Sequence, residues 1–137
     1  MDGNGNGAVT LVLVSHSAEL AAGLAEMARQ IAGPTVPIVT VGGAVDGSLG
    51  TDGGRVLDAM KAGAAGAGAV VLVDLGSSVL SVRAALTELT PQELANVSVA
   101  DAPLVEGAVA AAVAASTGCT HVEAARVAEE ARSVAKL

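Results

Sequence analysis

Aromatic residues are missing from this 137-residue sequence, which contains no Phe, Tyr or Trp. The core must therefore be built from Val, Leu, Ile, Met and Ala, which pack as thin, closely spaced layers. The absence also argues against nucleic-acid binding, because no ring is available to stack on a base. Acidic residues outnumber basic ones by 14 to 7, and the net charge of −7 would repel a phosphate backbone.

Cysteine is almost absent as well. Cys119 stands alone, which excludes an intramolecular disulfide and a cysteine-based metal site, and we predict no metal. A reduced, cytoplasmic protein is expected. Residues 1–7 lack the basic start of a signal peptide and are interpreted as a flexible leader. The longest apolar run, residues 104–115, contains Glu106 and falls short of the roughly 20 residues of a membrane span.

Four apolar, β-branched runs predict the strands of a sheet. They cover residues 9–14, 36–41, 69–74 and, more briefly, 97–100. The first and third runs are nearly continuous in apolar residues, which is typical of strands covered on both faces. Pro37 indicates an edge strand or the beginning of a strand, where a missing N–H does little harm.

Helical patterns alternate with these strands. Leu20, Leu24, Met27 and Ile31 form one stripe of a helix that ends at Gly33. Further helices are predicted near residues 56–60, near 79–89 with a stop at Pro91, over 104–115 and over 121–134. This order predicts an α/β fold: an open, mainly parallel, doubly wound sheet of four or five strands with helices on both faces. Residues 8–137 are expected to form a single domain.

Candidate functional residues follow the strands, because ligands of open parallel sheets bind at the carboxyl ends of the strands. His16 follows the first strand, a glycine-rich segment (residues 42–54) follows the second, and Asp74 follows the third. The glycine-rich segment could form a nest of backbone N–H groups for an anion. It lacks the P-loop and dinucleotide-binding motifs, so autonomous nucleotide binding is poorly supported.

His16 is the central candidate. It directly precedes a helix predicted to begin near Ser17, whose N-terminus carries partial positive charge and free N–H groups. That field disfavours the imidazolium form, so a neutral, nucleophilic ring suited to accept a phosphoryl group is expected. The alternative is a polar capping residue. The other histidine, His121, is interpreted as an exposed residue of the capping box that opens the last helix.

Asp74 ends a buried strand, where a carboxylate is costly unless it is hydrogen-bonded. It could accept a proton from one ring nitrogen of His16 and so fix the orientation of the ring. The alternative is an N-cap for a helix beginning near Ser77. Ser77 and Ser78 are interpreted as caps rather than nucleophiles. Small residues predicted to bind phosphate or a partner protein around His16 are Ser15, Ser17, Gly43, Thr51, Gly76 and Ser77, with Gly47 and Gly50 completing the rim.

Two segments carry a family resemblance. Residues 11–17, LVLVSHS, followed by an amphipathic helix, resemble the opening of the phosphocarrier subunits (DhaM) of bacterial phosphoenolpyruvate-dependent dihydroxyacetone kinases. Residues 71–77, VLVDLGS, resemble the second signature of that family. The resemblance extends over about residues 8–135 and implies the fold of the mannose-type enzyme IIA domains.

The resemblance also implies a mechanism. His16 would take a phosphoryl group from the phosphocarrier protein HPr and pass it to ADP bound on the subunit DhaL, which serves the substrate-binding subunit DhaK. A homodimer is implied, with no tightly bound cofactor in this chain, since the phosphoryl group is carried covalently on His16. Two alternatives stay open: an enzyme IIA component of a mannose-type sugar phosphotransferase system, and a non-enzymatic, flavodoxin-like binding module.

Overall fold

The computed structural model describes residues 7–137, so the predicted leader, residues 1–7, lies outside the described residues except for Gly7. Strands and helices alternate along most of the chain. In order they are β1 (Thr10–Ser15), α1 (Ala18–Ala32), β2 (Ile38–Gly42), α2 (Gly53–Ala65), β3 (Ala69–Val73), α3 (Gly76–Leu86), α4 (Pro91–Ala95), β4 (Val97–Val99), α5 (Leu104–Ser116) and α6 (His121–Glu130), followed by a 3₁₀ turn (Ala131–Ser133).

The four strands form one sheet in the order β2-β1-β3-β4, and every pair is parallel. The predicted fold class is confirmed. The two nearly continuous apolar runs are the central strands β1 and β3, as the pattern indicated. Pro37 directly precedes the edge strand β2, and its carbonyl accepts the N–H of Leu11 at 2.9 Å.

Helices cover both faces of the sheet. Leu11 and Leu13 of β1 point to the side of α1, α5 and α6, whereas Val12 and Val14 point to the side of α2 and α3. The chain therefore crosses from β1 to β2 on one face and from β2 to β3 on the other. This reversal makes the carboxyl ends of β1 and β3 a topological switch point, where open α/β sheets bind their ligands.

The buried face of α1 differs from the predicted stripe. Leu24 is buried, but Leu20, Met27 and Ile31 are 45%, 39% and 56% exposed. The buried face instead consists of Ala21, Leu24, Ala25 and Ala28. The reason is the close packing of α1 against the alanine-rich helix α5, which favours small side chains at the contact.

Four alanines of α5 are buried inside the domain. Ala108, Ala111, Ala112 and Ala115 are fully buried against the sheet and against α1 and α6. These four alanines are therefore not available to a second subunit, whereas Val113 of the same helix is exposed. Across residues 7–137 no helix combines the length and the apolar character needed to cross a membrane.

Two local predictions need correction. Pro91 begins the short helix α4 instead of stopping a helix, because Thr90 and Glu93 form a reciprocal capping box around it. His121 is half-buried, not exposed: its Nδ1 lies 2.7 Å from the hydroxyl of Ser98 on β4. The N–H of Glu123 bonds to the Thr120 hydroxyl, but the Glu123 carboxylate pairs with Arg126, so that capping box is only half formed.

Candidate functional site

The parallel register of β1 and β3 brings His16 and Asp74 together. Val14 and Val73 are partners across the two strands, and the N–H of Asp74 donates to the carbonyl of Val14 at 3.2 Å. Both chains leave the sheet at this point, so the side chains that follow meet at the switch point. His16 is 22% exposed and Asp74 is 13% exposed, which leaves the imidazole accessible and the carboxylate largely covered.

Asp74 holds His16 through two different groups. Its Oδ1 lies 2.9 Å from Nδ1 of the ring, and its Oδ2 accepts the backbone N–H of His16 at 2.9 Å. The hydroxyl of Ser15 also donates to Oδ2 at 2.9 Å, and the N–H of Leu75 donates to Oδ1 at 2.7 Å. The carboxylate is therefore orienting the imidazole and is itself held in place by its neighbours.

These hydrogen bonds decide the charge state of the carboxyl group. Partial burial raises the pKa of Asp74, but the hydrogen bonds from His16, Ser15 and Leu75 outweigh burial and lower the pKa to about 2. Asp74 is consequently a carboxylate at neutral pH and can only accept hydrogen bonds.

An acceptor-only carboxylate selects the tautomer of the neutral His16 ring. Nδ1 must carry the proton that it donates to Asp74, which leaves a lone pair on Nε2. Nε2 faces the exposed hydroxyl of Ser77 at 2.5 Å, and that hydroxyl is then the donor. Chemically, the site presents an oriented, nucleophilic nitrogen at the edge of the sheet.

Ser78 is a site residue that sequence reasoning missed. Its side chain is fully buried, and its Oγ lies 3.1 Å from Oδ1 of Asp74 and 3.2 Å from Nδ1 of His16. The hydroxyl of Thr51 lies 2.9 Å from the same Oγ. The available signal was the spacing of four residues from Asp74, one turn along the following helix, which pointed equally well to a cap.

The residues of the predicted small-residue rim differ in exposure and in hydrogen-bond partners. Gly76 and Ser77 are exposed, and the hydroxyl of Ser77 faces the imidazole. Ser15 and Gly43 are buried, so neither can touch a partner protein. Three further residues of the rim are Ser17, Thr51 and Gly47. The hydroxyl of Ser17 caps α1, Thr51 turns inward to Ser78, and the exposed Gly47 has open space around the position of a Cβ.

The capping alternative for Asp74 does not hold. The N-cap of α3 is Leu75, and no side chain caps this helix. The N–H groups of Gly76 and Ser77 are the first two of α3 and have no partner within the helix, as is general at a helix N-terminus, whereas that of Ser78 donates to the carbonyl of Leu75 at 3.0 Å. In the described part of the chain, the side chains of His16 and Asp74 bond to each other and to hydroxyl and backbone N–H groups, and no lysine or arginine is among their partners.

A helix N-terminus with free N–H groups next to a nucleophilic nitrogen is a suitable place for an anion such as a phosphoryl group. A metal centre has no comparable basis within residues 7–137, where no three or more His, Cys, Asp and Glu side chains are grouped to hold an ion.

Residues 10–125 match the family model for mannose-type enzyme IIA, described as the phosphotransferase-system (PTS) fructose IIA component. The chain is 40% identical over 105 residues to the phosphoryl donor subunit DhaM of a dihydroxyacetone kinase of Listeria innocua, covering 84% of that protein. It is 33% identical to the phosphotransferase subunit DhaM of Lactococcus lactis, covering 85% of it.

The DhaM subunit of Escherichia coli is 38% identical over 113 residues, but the chain spans only 24% of its length. The crystal structure of a protein of unknown function, EF1359, superposes with a TM-score of 0.77 at 33% identity, covering 88% of this chain and 92% of that one. The relatives therefore include both proteins of similar length and longer proteins of which the chain spans about a quarter.

Proposed function

The chain belongs to the mannose-type enzyme IIA family and resembles its DhaM members over most of its length, and from this premise we propose that it is a phosphohistidine carrier of a dihydroxyacetone kinase. One observation carries the proposal: Asp74 binds the Nδ1–H of His16 and leaves the lone pair of Nε2 directed at the exposed hydroxyl of Ser77. The phosphoryl donor is HPr, and the acceptor is ADP bound on DhaL, which acts together with DhaK.

Nε2 of His16 is the proposed attacking atom. A bond forms between Nε2 and the phosphorus of phospho-HPr while the phosphorus–nitrogen bond of the donor breaks. The ring of His16 gains positive charge in this step, and the carboxylate of Asp74, hydrogen-bonded to Nδ1–H, stabilises that charge. No proton has to leave Nδ1, so Asp74 orients and stabilises the ring without acting as a base.

Ser77 and the start of α3 are proposed to receive the phosphoryl oxygens. The Ser77 hydroxyl occupies the position in front of Nε2 and must rotate aside when phosphorus arrives. It can then donate to a phosphoryl oxygen, together with the unused N–H groups of Gly76 and Ser77 at the helix N-terminus.

In the second step an oxygen of the ADP β-phosphate attacks phosphorus, a P–O bond forms and the Nε2–P bond breaks. Because the described hydrogen-bond partners of His16 and Asp74 include no cation, cationic groups on each partner protein must balance the charge of the transferring group. Most of the catalysis is then positioning.

The test is to incubate the protein with enzyme I, HPr and phosphoenolpyruvate and to measure its mass. We expect the gain of one acid-labile phosphate, absent from His16→Ala and retained by His121→Ala. Addition of DhaL carrying ADP should discharge the phosphoprotein and form ATP. Equal labelling of His16→Ala would overturn the assignment.

The family description as a fructose component keeps a second candidate in view, the enzyme IIA of a sugar phosphotransferase system. In that case a sugar-specific enzyme IIB would discharge the phosphoprotein and DhaL would not. The same labelled protein can be used for both acceptors, so one experiment separates the two candidates. A failure to accept phosphate from HPr at all would favour the non-enzymatic binding module.

We also propose that the chain forms a homodimer. The buried alanines of α5 cannot serve as its interface, whereas Leu20, Met27 and Ile31 on α1 are exposed apolar side chains that a second copy could cover. Sedimentation at micromolar concentration tests this, and a mass of 13.1 kDa, that of a single chain, would contradict it.

A further inference from the structure

Ser78 lies at the junction of three polar groups and is closed off from solvent. Its Oγ is within hydrogen-bond distance of Asp74, of His16 and of Thr51. A buried hydroxyl that meets three partners constrains all of them, because any rotation would leave a buried polar group unsatisfied.

The direction of these hydrogen bonds follows from counting protons. The Asp74 carboxylate only accepts, so the single proton of Ser78 is used in the stronger, charge-assisted bond to Oδ1. Ser78 therefore accepts from Thr51, and the hydrogen bonds run from Thr51 to Ser78 to Asp74. They end on the same carboxylate oxygen that receives Nδ1–H of His16.

Thr51 connects this chain of hydrogen bonds to the segment between β2 and α2. The N–H of Gly43 at the start of that segment donates to the carbonyl of Ser15 at 3.1 Å, and the N–H of Gly50 near its end donates to the carbonyl of His16 at 3.0 Å. Gly43 and Thr51 themselves form a bridge. The segment is thus hydrogen-bonded to the carbonyls of Ser15 and His16 and, through the Thr51 hydroxyl, to Ser78 on α3.

We propose that Thr51 and Ser78 are positioning residues for phosphoryl transfer, which hold the Asp74 carboxylate in the orientation that keeps Nε2 of His16 directed at the incoming group. The proposal rests on the proposed function of His16. It assigns Thr51 a role through Ser78 and Asp74, in place of the phosphate contact that its position in the sequence predicts. Neither hydroxyl touches phosphorus or either partner protein.

The test compares Thr51→Val, which keeps the shape and removes the hydroxyl, with Thr51→Ser, which keeps the hydroxyl. Transfer from phospho-HPr is followed by rapid quench over a range of donor concentrations. Thr51→Val should slow transfer at saturating donor by about 5- to 50-fold and change KM by less than about twofold, the pattern of a lost orienting partner. Thr51→Ser should stay within about threefold of the wild type.

Ser78→Ala should show the same loss, with Ser81→Ala, in the same helix and outside the site, as the matched control. Because the two hydroxyls act as a unit, the double variant Thr51→Val/Ser78→Ala should be no slower than Ser78→Ala alone. Additive losses in the double variant would contradict the proposed order. Circular dichroism and urea unfolding identify a variant that has lost its fold.

Ring ¹⁵N chemical shifts of His16 give a readout that needs no phosphoryl transfer. The wild type and Thr51→Ser should show the Nδ1–H form, and Thr51→Val and Ser78→Ala an increased share of the Nε2–H form. An unchanged tautomer together with wild-type transfer in Thr51→Val would overturn the proposal. If the wild type accepts no phosphate, the proposed function fails, and the ring shifts still decide whether Thr51 and Ser78 orient His16.

Discussion

The carboxylate of Asp74 is hydrogen-bonded to both the ring and the backbone of His16. Its Oδ1 lies 2.9 Å from Nδ1, and its Oδ2 lies 2.9 Å from the backbone nitrogen. A single side chain from the end of β3 thereby fixes both the direction of the imidazole and the course of the chain as it leaves β1. The two residues are 58 positions apart, and only the parallel pairing of the strands makes them neighbours.

Replacing Asp74 by Asn should slow phosphoryl transfer by about 10- to 1000-fold, the range for loss of an orienting or charge-stabilising partner. The amide lacks the negative charge that stabilises the ring. Its NH₂ group is also a hydrogen-bond donor, and it would face groups that donate to the carboxylate in the wild type. Rapid-quench transfer from phospho-HPr measures the loss. Transfer at the wild-type rate would remove Asp74 from the mechanism.

The stability contributed by Asp74 should depend on pH in a defined window. Its folded pKa of about 2 lies below the ordinary value of 3.8, so the contribution is complete above about pH 4 and is lost as pH falls through about 2. The shift corresponds to roughly 2 kcal/mol of unfolding free energy. In urea unfolding, the advantage of the wild type over Asp74→Asn should shrink by about that amount between about pH 5 and about pH 2. A difference independent of pH would refute the assignment.

Gly42→Ala should destabilise the protein and disturb the site. The added Cβ would lie 2.6 Å from Cα of Ala18 and 2.8 Å from the carbonyl oxygen of Ser17, so the start of α1 would have to move. Overpacking of this kind costs about 1–3 kcal/mol of unfolding free energy, measurable in urea.

The matched control is Gly23→Ala, in the exposed part of α1, where a Cβ meets nothing within 4 Å. It should gain about 0.5–1 kcal/mol because alanine favours the helix. Equal stability of the two variants would show that β2 and α1 are not as closely packed as described.

Gly76→Leu tests access of the partner protein to the imidazole. A Cβ at this exposed position meets nothing within 4 Å, so the fold should tolerate the change. Phosphorylation by phospho-HPr should fall by about 10- to 100-fold because donor and acceptor can no longer approach in line. Phosphorylation by a small donor, phosphoramidate, should stay within about twofold.

Gly23→Leu serves as the control for the added bulk and should affect neither donor. Equal loss with both donors in Gly76→Leu would place the effect in the site itself, and no loss would place the docking surface elsewhere. Gly43→Leu is a poorer test of docking, because Gly43 is buried and has φ of +81°, so a side chain there strains the backbone.

The sequence was sufficient for the fold and for the central pair. Continuous apolar runs distinguish the inner strands β1 and β3, and strand–helix alternation implies parallel pairing, which places whatever follows those strands at one edge. His16 and Asp74 could be predicted on that basis, and the two motifs around them were enough to identify the family, which the comparisons confirm.

Only the tertiary structure decided the contacts that depend on direction and burial. The exposed Met27 and Ile31 match the helical period, but packing against the alanines of α5 buries a different face of α1. Ser77 and Ser78 are neighbours of the same type, and the turn of α3 sends one hydroxyl to Nε2 and buries the other behind Asp74. The physical reason is that periodicity and composition specify which elements form and pair. The rotation of a helix and the path of a loop are instead set by side-chain volumes and hydrogen-bond partners from distant parts of the chain.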